Sequence, residues 1–248
     1  MINNLLQLLL LNLQSILANQ LVGLCVGGSV ATNYFNEKTS DIDCYVITEN
    51  ALPKNIIQQL KNMHKQLYLS QIPYAQKIEA SYIPKPLLMN FNPKETRPYF
   101  NEGKLYIAAY NNNFIIELYI LREQGITIFG PKIKQLIKEI TSNDLQFAIK
   151  HNLIEYWQPM LADVEKLNRH DYQVFAILTM CRTLYTLEVN KISSKPDSAN
   201  WAIKNTSGPW QELIKKALSW QPEHSFNYLE ETKHFINYVL NKSKNKFN

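Results

Sequence analysis

Two hydrophobic spacings divide the chain. As far as Phe129 short apolar runs and alternation are mixed with helical stripes; beyond Gly130-Pro131 only helical intervals recur. Residues 21–26 and 42–47 are near-continuous apolar runs and predict a buried pair of strands. Pro53 opens a predicted helix running to about Leu69, with Ile56, Ile57, Leu60, Met63 and Leu67 on one face. His64 lies beside that stripe and is expected to pack rather than to bind a ligand. Residues 76–83 alternate, with Lys77, Glu79 and Ser81 on one face of a predicted strand and Ile78, Ala80 and Tyr82 on the other. Pro84, Pro86, Pro93 and Pro98 make residues 84–103 a long predicted loop. Apolar runs follow at 105–110, 114–121 and 126–129, and periodicity leaves 114–121 open between strand and helix.

After Pro131 strand signals stop. Helices are predicted over residues 132–140, 144–160, 172–189, 196–205, 210–218 and 226–242. The third carries an apolar stripe of Val174, Phe175, Leu178, Cys181, Leu184 and Tyr185. The expected architecture is α+β: a mixed sheet with helices over residues 1–130, then a helical bundle over 131–248, with a ligand between the two parts. Residues 5–13 are strongly apolar, interrupted at Gln7 and Asn12. That opening stretch lacks a basic start and a small-residue cleavage site and is too short to cross a bilayer. It is expected to be a helix buried against the sheet, and no membrane partner is expected.

Composition narrows the partners. A formal charge of +5 suits an anionic ligand and is too small to imply nucleic acid. Cys25, Cys44 and Cys181 are odd in number and scattered, so they read as buried thiols of a protein in the reducing cytoplasm, with no disulfide framework and no zinc site.

The candidate chemistry is concentrated in residues 21–48, LVGLCVGGSVATNYFNEKTSDIDCYVIT. A Gly27-Gly28-Ser29 turn between strands has no bulky side chain to keep backbone N–H groups from a phosphate. Asp41 and Asp43, two apart, share one face of the second strand. One or two carboxylates plus substrate phosphates are the usual protein site for Mg²⁺. Glu79 is the third carboxylate singled out, as a metal ligand or a proton acceptor, with Glu117 as its runner-up. Phosphoryl or nucleotidyl transfer is the chemistry that fits.

The Gly-Ser turn followed by Asp-x-Asp resembles the nucleotidyltransferase superfamily. A second set of residues narrows the resemblance: LREQGITIFGP before the bundle, Arg182 in TMCRTLYTLEVNKISSKPDSANWAI, Lys195, and Ala199-x-Trp201-Ala202. With these, most of the chain looks like the aminoglycoside adenylyltransferases that modify streptomycin and spectinomycin. The resemblance implies an N-terminal nucleotidyltransferase domain, a C-terminal helical domain, and transfer of AMP from ATP to a drug hydroxyl with Mg²⁺, conferring resistance. It implies that Gly28 and Ser29 contact the phosphates, Asp41 and Asp43 hold Mg²⁺, and Glu79 is the catalytic base. Arg182 and Lys195 match basic residues on the triphosphate, and Trp220 matches an aromatic residue near the nucleotide. Without the resemblance these last three read as helix-surface charge and core packing.

The drug pocket matches less well. The family grips its substrate with tryptophans and acidic residues, whereas residues 84–103 contain no tryptophan; Tyr99, Phe100 and Tyr106 are the nearest aromatics. Trp157 and Asp163 are the remaining candidates for the grip, with Asp171, which is offset by one residue and reads equally as a helix cap. A nucleotidyltransferase with another hydroxyl acceptor on protein, RNA or a metabolite is the competing enzyme. A non-catalytic nucleotide-binding protein is the competing class. The protein is expected to act as a monomer.

Overall fold

The computed structural model describes residues 1–247. The chain falls into two compact units, Met1–Glu139 and Ile140–Asn248, each with its own core. The division lies beyond the expected Gly130-Pro131. A short helix after that dipeptide stays with the sheet, and the Lys138 N–H donates to the Leu88 carbonyl at 3.1 Å.

The first unit is built on six strands: β1 (Leu21–Val26), β2 (Ile42–Thr48), β3 (Ile78–Pro84), β4 (Thr96–Asn101), β5 (Lys104–Ala109) and β6 (Ile126–Phe129). Their order is β5-β4-β3-β2-β1-β6. Every pairing is antiparallel except β2 with β3. That parallel pair needs a crossover, supplied by helix α3 (Lys54–Leu69) as the Pro53 signal predicts. Helices α1 (Ile2–Leu17), α2 (Gly28–Ala31), α4 (Lys85–Met89), α5 (Phe114–Gln124) and α6 (Ile133–Leu136) complete the unit.

One face of the sheet is dry. Leu5, Leu6, Leu9, Leu10, Leu13 and Leu17 of α1 join Leu60, Met63 and Leu67 of α3. Both helices cover Leu24, Val26, Ile42, Cys44, Val46, Ile78, Ala80 and Tyr82 of the strands. The apolar opening is thus a core helix, each leucine contributing ~1.5–3 kcal/mol of burial. Among the described residues no helix is long and apolar enough to cross a membrane. All three cysteines are free and buried, and burial pushes the Cys25 thiol up to about 11.

His64 belongs to this core. Its Nε2 is 2.6 Å from the Tyr82 hydroxyl, and its ring stacks on Phe100 at 4.1 Å. Burial lowers its pKa to about 3. The folded protein therefore excludes a proton that the unfolded chain binds below about 6.5. Stability contributed above that pH is lost on acidification, by ~2 kcal/mol at pH 5 from this group alone. Urea unfolding at several pH values, alongside NMR titration of the histidines, checks this; a His64 ring that charges near pH 6 refutes it.

Two expectations for this unit need correction, and one left open is settled. Residues 84–103 are not a loop: they contain α4 and β4. Pro98 is tolerated because the β3–β4 ladder is limited to Ala80↔Phe100 and Ser81↔Tyr99, so Pro98 lies outside it. The undecided 114–121 segment is helical. The helix expected over 132–140 is only the four-residue α6 of the first unit.

The second unit contains α7 (Ser142–Asn152), α8 (His170–Val189), α9 (Lys195–Asn205), α10 (Trp210–Ser219) and α11 (Leu229–Phe247). Thr141 caps α7 through a reciprocal box with Asp144. The long helix expected over 144–160 ends at Asn152 and continues as a π turn, Leu153–Trp157, and a 3-10 turn, Pro159–Leu161. Pro159 has no N–H to extend the ladder. Within the expected α8 stripe, Val174, Cys181 and Leu184 are buried, but Phe175 is 38 % exposed.

Candidate active site

The second face of the sheet carries the polar chemistry. On β2 and β3 the register sets Asp43 beside Glu79 and Tyr45 beside Ser81. Because the two strands run parallel and the pair is in register, the two carboxylates emerge on the same face at the same end. Asp41 is exposed and lies one residue before β2.

The Gly27-Gly28-Ser29 turn meets this pair directly. The Gly27 N–H donates to the Asp43 carbonyl at 2.9 Å. Gly28 has φ +55°, and a Cβ built there would lie 1.8 Å from Asp43 Oδ2. Glycine is therefore required twice at this position, for its backbone and for the carboxylate packed against it. Ser29 follows in the same turn, where its carbonyl accepts the Tyr34 N–H at 2.9 Å.

Glu79 is half-buried, and its carboxyl is pushed up to about 7. Loss of solvent is the main cause, reinforced by the negative charges of Asp43, Asp41 and Glu102 and opposed by a hydrogen bond from Tyr99. The Tyr99 hydroxyl donates to Glu79 Oε2 at 2.6 Å. The three carboxylates named from sequence thus act on one another. A carboxyl poised near neutrality has the proton affinity of a general base.

Next to it, Arg97 is 6 % exposed. It donates to Ser81 Oγ at 2.5 Å and to the Ala109 carbonyl at 3.2 Å, and it stands 3.7 Å from Glu117 Oε2. Glu117, in the first turn of α5, is engaged with this buried cation and with Asn113. Tyr99, Arg97 and Glu102 lie in residues read from sequence as loop, and the prolines hid the Arg97-x-Tyr99 alternation that marks the first two as strand.

In the helical unit, Lys195 is the first residue of α9, and its Nζ lies 4.1 Å from the Phe175 ring centroid. Arg182 is seven residues along α8 from Phe175, hence on the same helical face. Trp220 follows α10 and donates its indole N–H to the His224 carbonyl at 2.8 Å. Trp157 is only 1 % exposed. It packs against Tyr156, Tyr172 and Phe175 and turns no open ring face outward. Asp163 is exposed and accepts the Glu165 N–H at 3.3 Å. Asp171 is exposed and ion-paired to Arg169 at 2.6 Å, which holds its carboxyl below the usual range. Arg169, not Asp171, occupies the cap position of α8.

The two halves match two family descriptions. Residues 11–99 match the nucleotidyltransferase domain, and residues 135–246 match the aminoglycoside adenylyltransferase C-terminal domain. The chain thus joins a nucleotidyltransferase domain to the C-terminal domain described for aminoglycoside adenylyltransferases. A spectinomycin 9-adenylyltransferase of Enterococcus faecalis is 24% identical over 92% of this chain and 91% of its own length. One from Staphylococcus aureus is 25% identical over 76% of this chain and 71% of its own length. A crystal structure of an Enterococcus spectinomycin adenyltransferase with ATP and spectinomycin shares the fold. It has a TM-score of 0.75, 21% identity, and coverage of 96% of this chain and 98% of that one. The adenylyltransferase class implied by the Gly-Ser turn and Asp-x-Asp together with the Arg182, Lys195 and SKPDSANWA motifs is the class of these relatives.

That Enterococcus structure was solved with ATP, and the acidic residues here suit a divalent ion beside phosphate oxygens. Among the described residues no group of three or more His, Cys, Asp or Glu side chains can hold a metal ion by itself. Two acidic side chains completed by phosphate oxygens are a donor set suited to Mg²⁺. The Gly28 turn places no side chain between the Asp43 carboxylate and an arriving phosphate.

Proposed function

We propose that this protein transfers AMP from ATP to a hydroxyl of an aminoglycoside antibiotic, spectinomycin or streptomycin, and so confers resistance. The observation that carries the reading is the register of Asp43 beside Glu79 against the Gly28 turn. Glu79 accepts the proton of the attacking drug hydroxyl. The hydroxyl oxygen bonds to the α-phosphorus of ATP as the bond to pyrophosphate breaks. Gly28 and Ser29 receive the phosphates; Asp41 and Asp43 would hold Mg²⁺, which would supply positive charge against the reacting phosphates. Arg182 and Lys195 offset the charge of the triphosphate. Trp220 lies near the nucleotide base. Asp163 and Asp171 attract the protonated amines of the drug, and Trp157 supports the aromatic surface beside them. The protein works as a monomer in the cytoplasm.

Mass spectrometry of spectinomycin and streptomycin after incubation with ATP and Mg²⁺ is expected to show one added adenylyl group on at least one drug. Pyrophosphate release without either product, in the presence of another acceptor, would turn the assignment to a different hydroxyl. Calorimetry of the Asp41→Ala/Asp43→Ala protein is expected to show ATP affinity reduced by about tenfold or more, with its Mg²⁺ dependence lost. Unchanged affinity would remove both residues from the metal site.

A further inference from the structure

Tyr99 has no role in the reading above, yet it makes the one side-chain hydrogen bond described for Glu79. We propose that Tyr99 is the positioning residue of the Glu79 carboxylate: its phenol holds Oε2 and thereby presents Oε1 to the acceptor hydroxyl. The inference rests on Glu79 as the base.

The geometry is built for holding. Tyr99 sits on β4, paired to Ser81 of β3 on one side and to Tyr106 of β5 on the other. Its ring meets the Tyr106 ring edge-on at 5.7 Å and 85°. The Arg97 guanidinium lies 5.4 Å from its ring centroid. That guanidinium is in turn fixed by Ser81 Oγ and the Ala109 carbonyl. The phenol is therefore set by the sheet, by a neighbouring ring and by a buried cation, while the glutamate side chain has three rotatable bonds. A short O–H···O contact of 2.6 Å to one carboxylate oxygen restrains where that oxygen lies. Burial and the adjacent Glu79 charge push the Tyr99 hydroxyl far above its usual range, so it stays a donor and does not compete for the proton. In the transfer step, the drug O–H bond breaks and the proton goes to Oε1. The drug oxygen bonds to phosphorus, pyrophosphate leaves, and Tyr99 keeps its proton throughout.

Tyr99→Phe removes one oxygen and keeps the ring contacts. Its kcat is expected to fall by ~10–100-fold, with KM for ATP and drug within about twofold of wild type. In a Glu79→Gln background the same change is expected to cost nothing further, since the carboxylate it positions is gone. A kcat within about twofold of wild type, or an equal loss in both backgrounds, overturns the proposal. A readout without turnover comes from protein labelled at tyrosine Cζ with ¹³C. The resonance missing from Tyr99→Phe is Tyr99, and it is expected to move in Glu79→Gln; a stationary resonance also overturns the proposal. Failure of the underlying reading looks different. Glu79→Gln with Tyr99 intact would then turn over normally, which withdraws the base and this role of Tyr99 with it.

Discussion

Glu79→Gln is expected to yield a folded protein that binds ATP with near-normal affinity but transfers AMP ~10²–10⁴-fold more slowly. The amide keeps the size of the side chain and can still accept from Tyr99, so little packing changes. What disappears is the capacity to take a proton. The same group gives the activity a pH dependence. With its carboxyl held at about 7, the base form grows in as pH rises through neutrality, and kcat/KM of the wild type should climb across that range. Stability runs the other way. A carboxyl whose pKa is raised above its unfolded value near 4.3 favours folding below that value, and the contribution is lost as pH rises through 7. Glu79→Gln should therefore melt no lower than wild type at pH 8. Pre-steady-state measurement of AMP transfer, calorimetric ATP binding and thermal melts test the set together. A variant that turns over within a few-fold of wild type sinks the base.

Gly28→Ala is the second large effect. The new methyl would lie 1.8 Å from Asp43 Oδ2, on a backbone at φ +55°. The left-handed conformation costs ~1–2 kcal/mol for a residue with a Cβ. The clash itself is relieved when the short Asp43 side chain swings away, so the fold survives and the active site bears the damage. Misplacing a phosphate-facing carboxylate by about 1 Å is worth ~10² in rate. Activity should fall by at least that factor, with Mg²⁺-dependent ATP binding weakened alongside it. A Gly28→Ala enzyme with normal turnover would mean that the Asp43 carboxylate has no fixed place in the reaction.

The fold was legible where one physical signal dominated. The apolar runs at Leu21 and Ile42, the stripe from Ile56 to Leu67 and the alternation around Glu79 each have one way of being buried, and each became the expected element. The β4–β5 hairpin was illegible because Pro93 and Pro98 carry a turn signal stronger than the alternation of Arg97 and Tyr99. Only the short β3–β4 ladder makes a strand there possible, and no local pattern announces a ladder's length. The candidate site divides in the same way. Asp43 and Glu79 were visible because a strand alternates faces, whereas the partnership of Glu79 with Tyr99 depends on tertiary register. Trp157 was a candidate only through the resemblance, whose drug pocket uses tryptophans. Its neighbours Tyr172 and Phe175 arrive from α8 and enclose it, which the residues around Trp157 alone do not reveal.

The crossover through α3 has a consequence for how such sites diverge. Two neighbouring carboxylates on a hairpin would have their sequence separation dictated by a tight turn. Here the separation is merely the length of a helical detour, so evolution can lengthen or trim that detour while the acidic pair stays put. Replacing α3 with an unrelated amphipathic helix of the same span should leave Asp43 and Glu79 abreast, whereas shifting β3 by one residue would turn Glu79 into the leucine-filled interior.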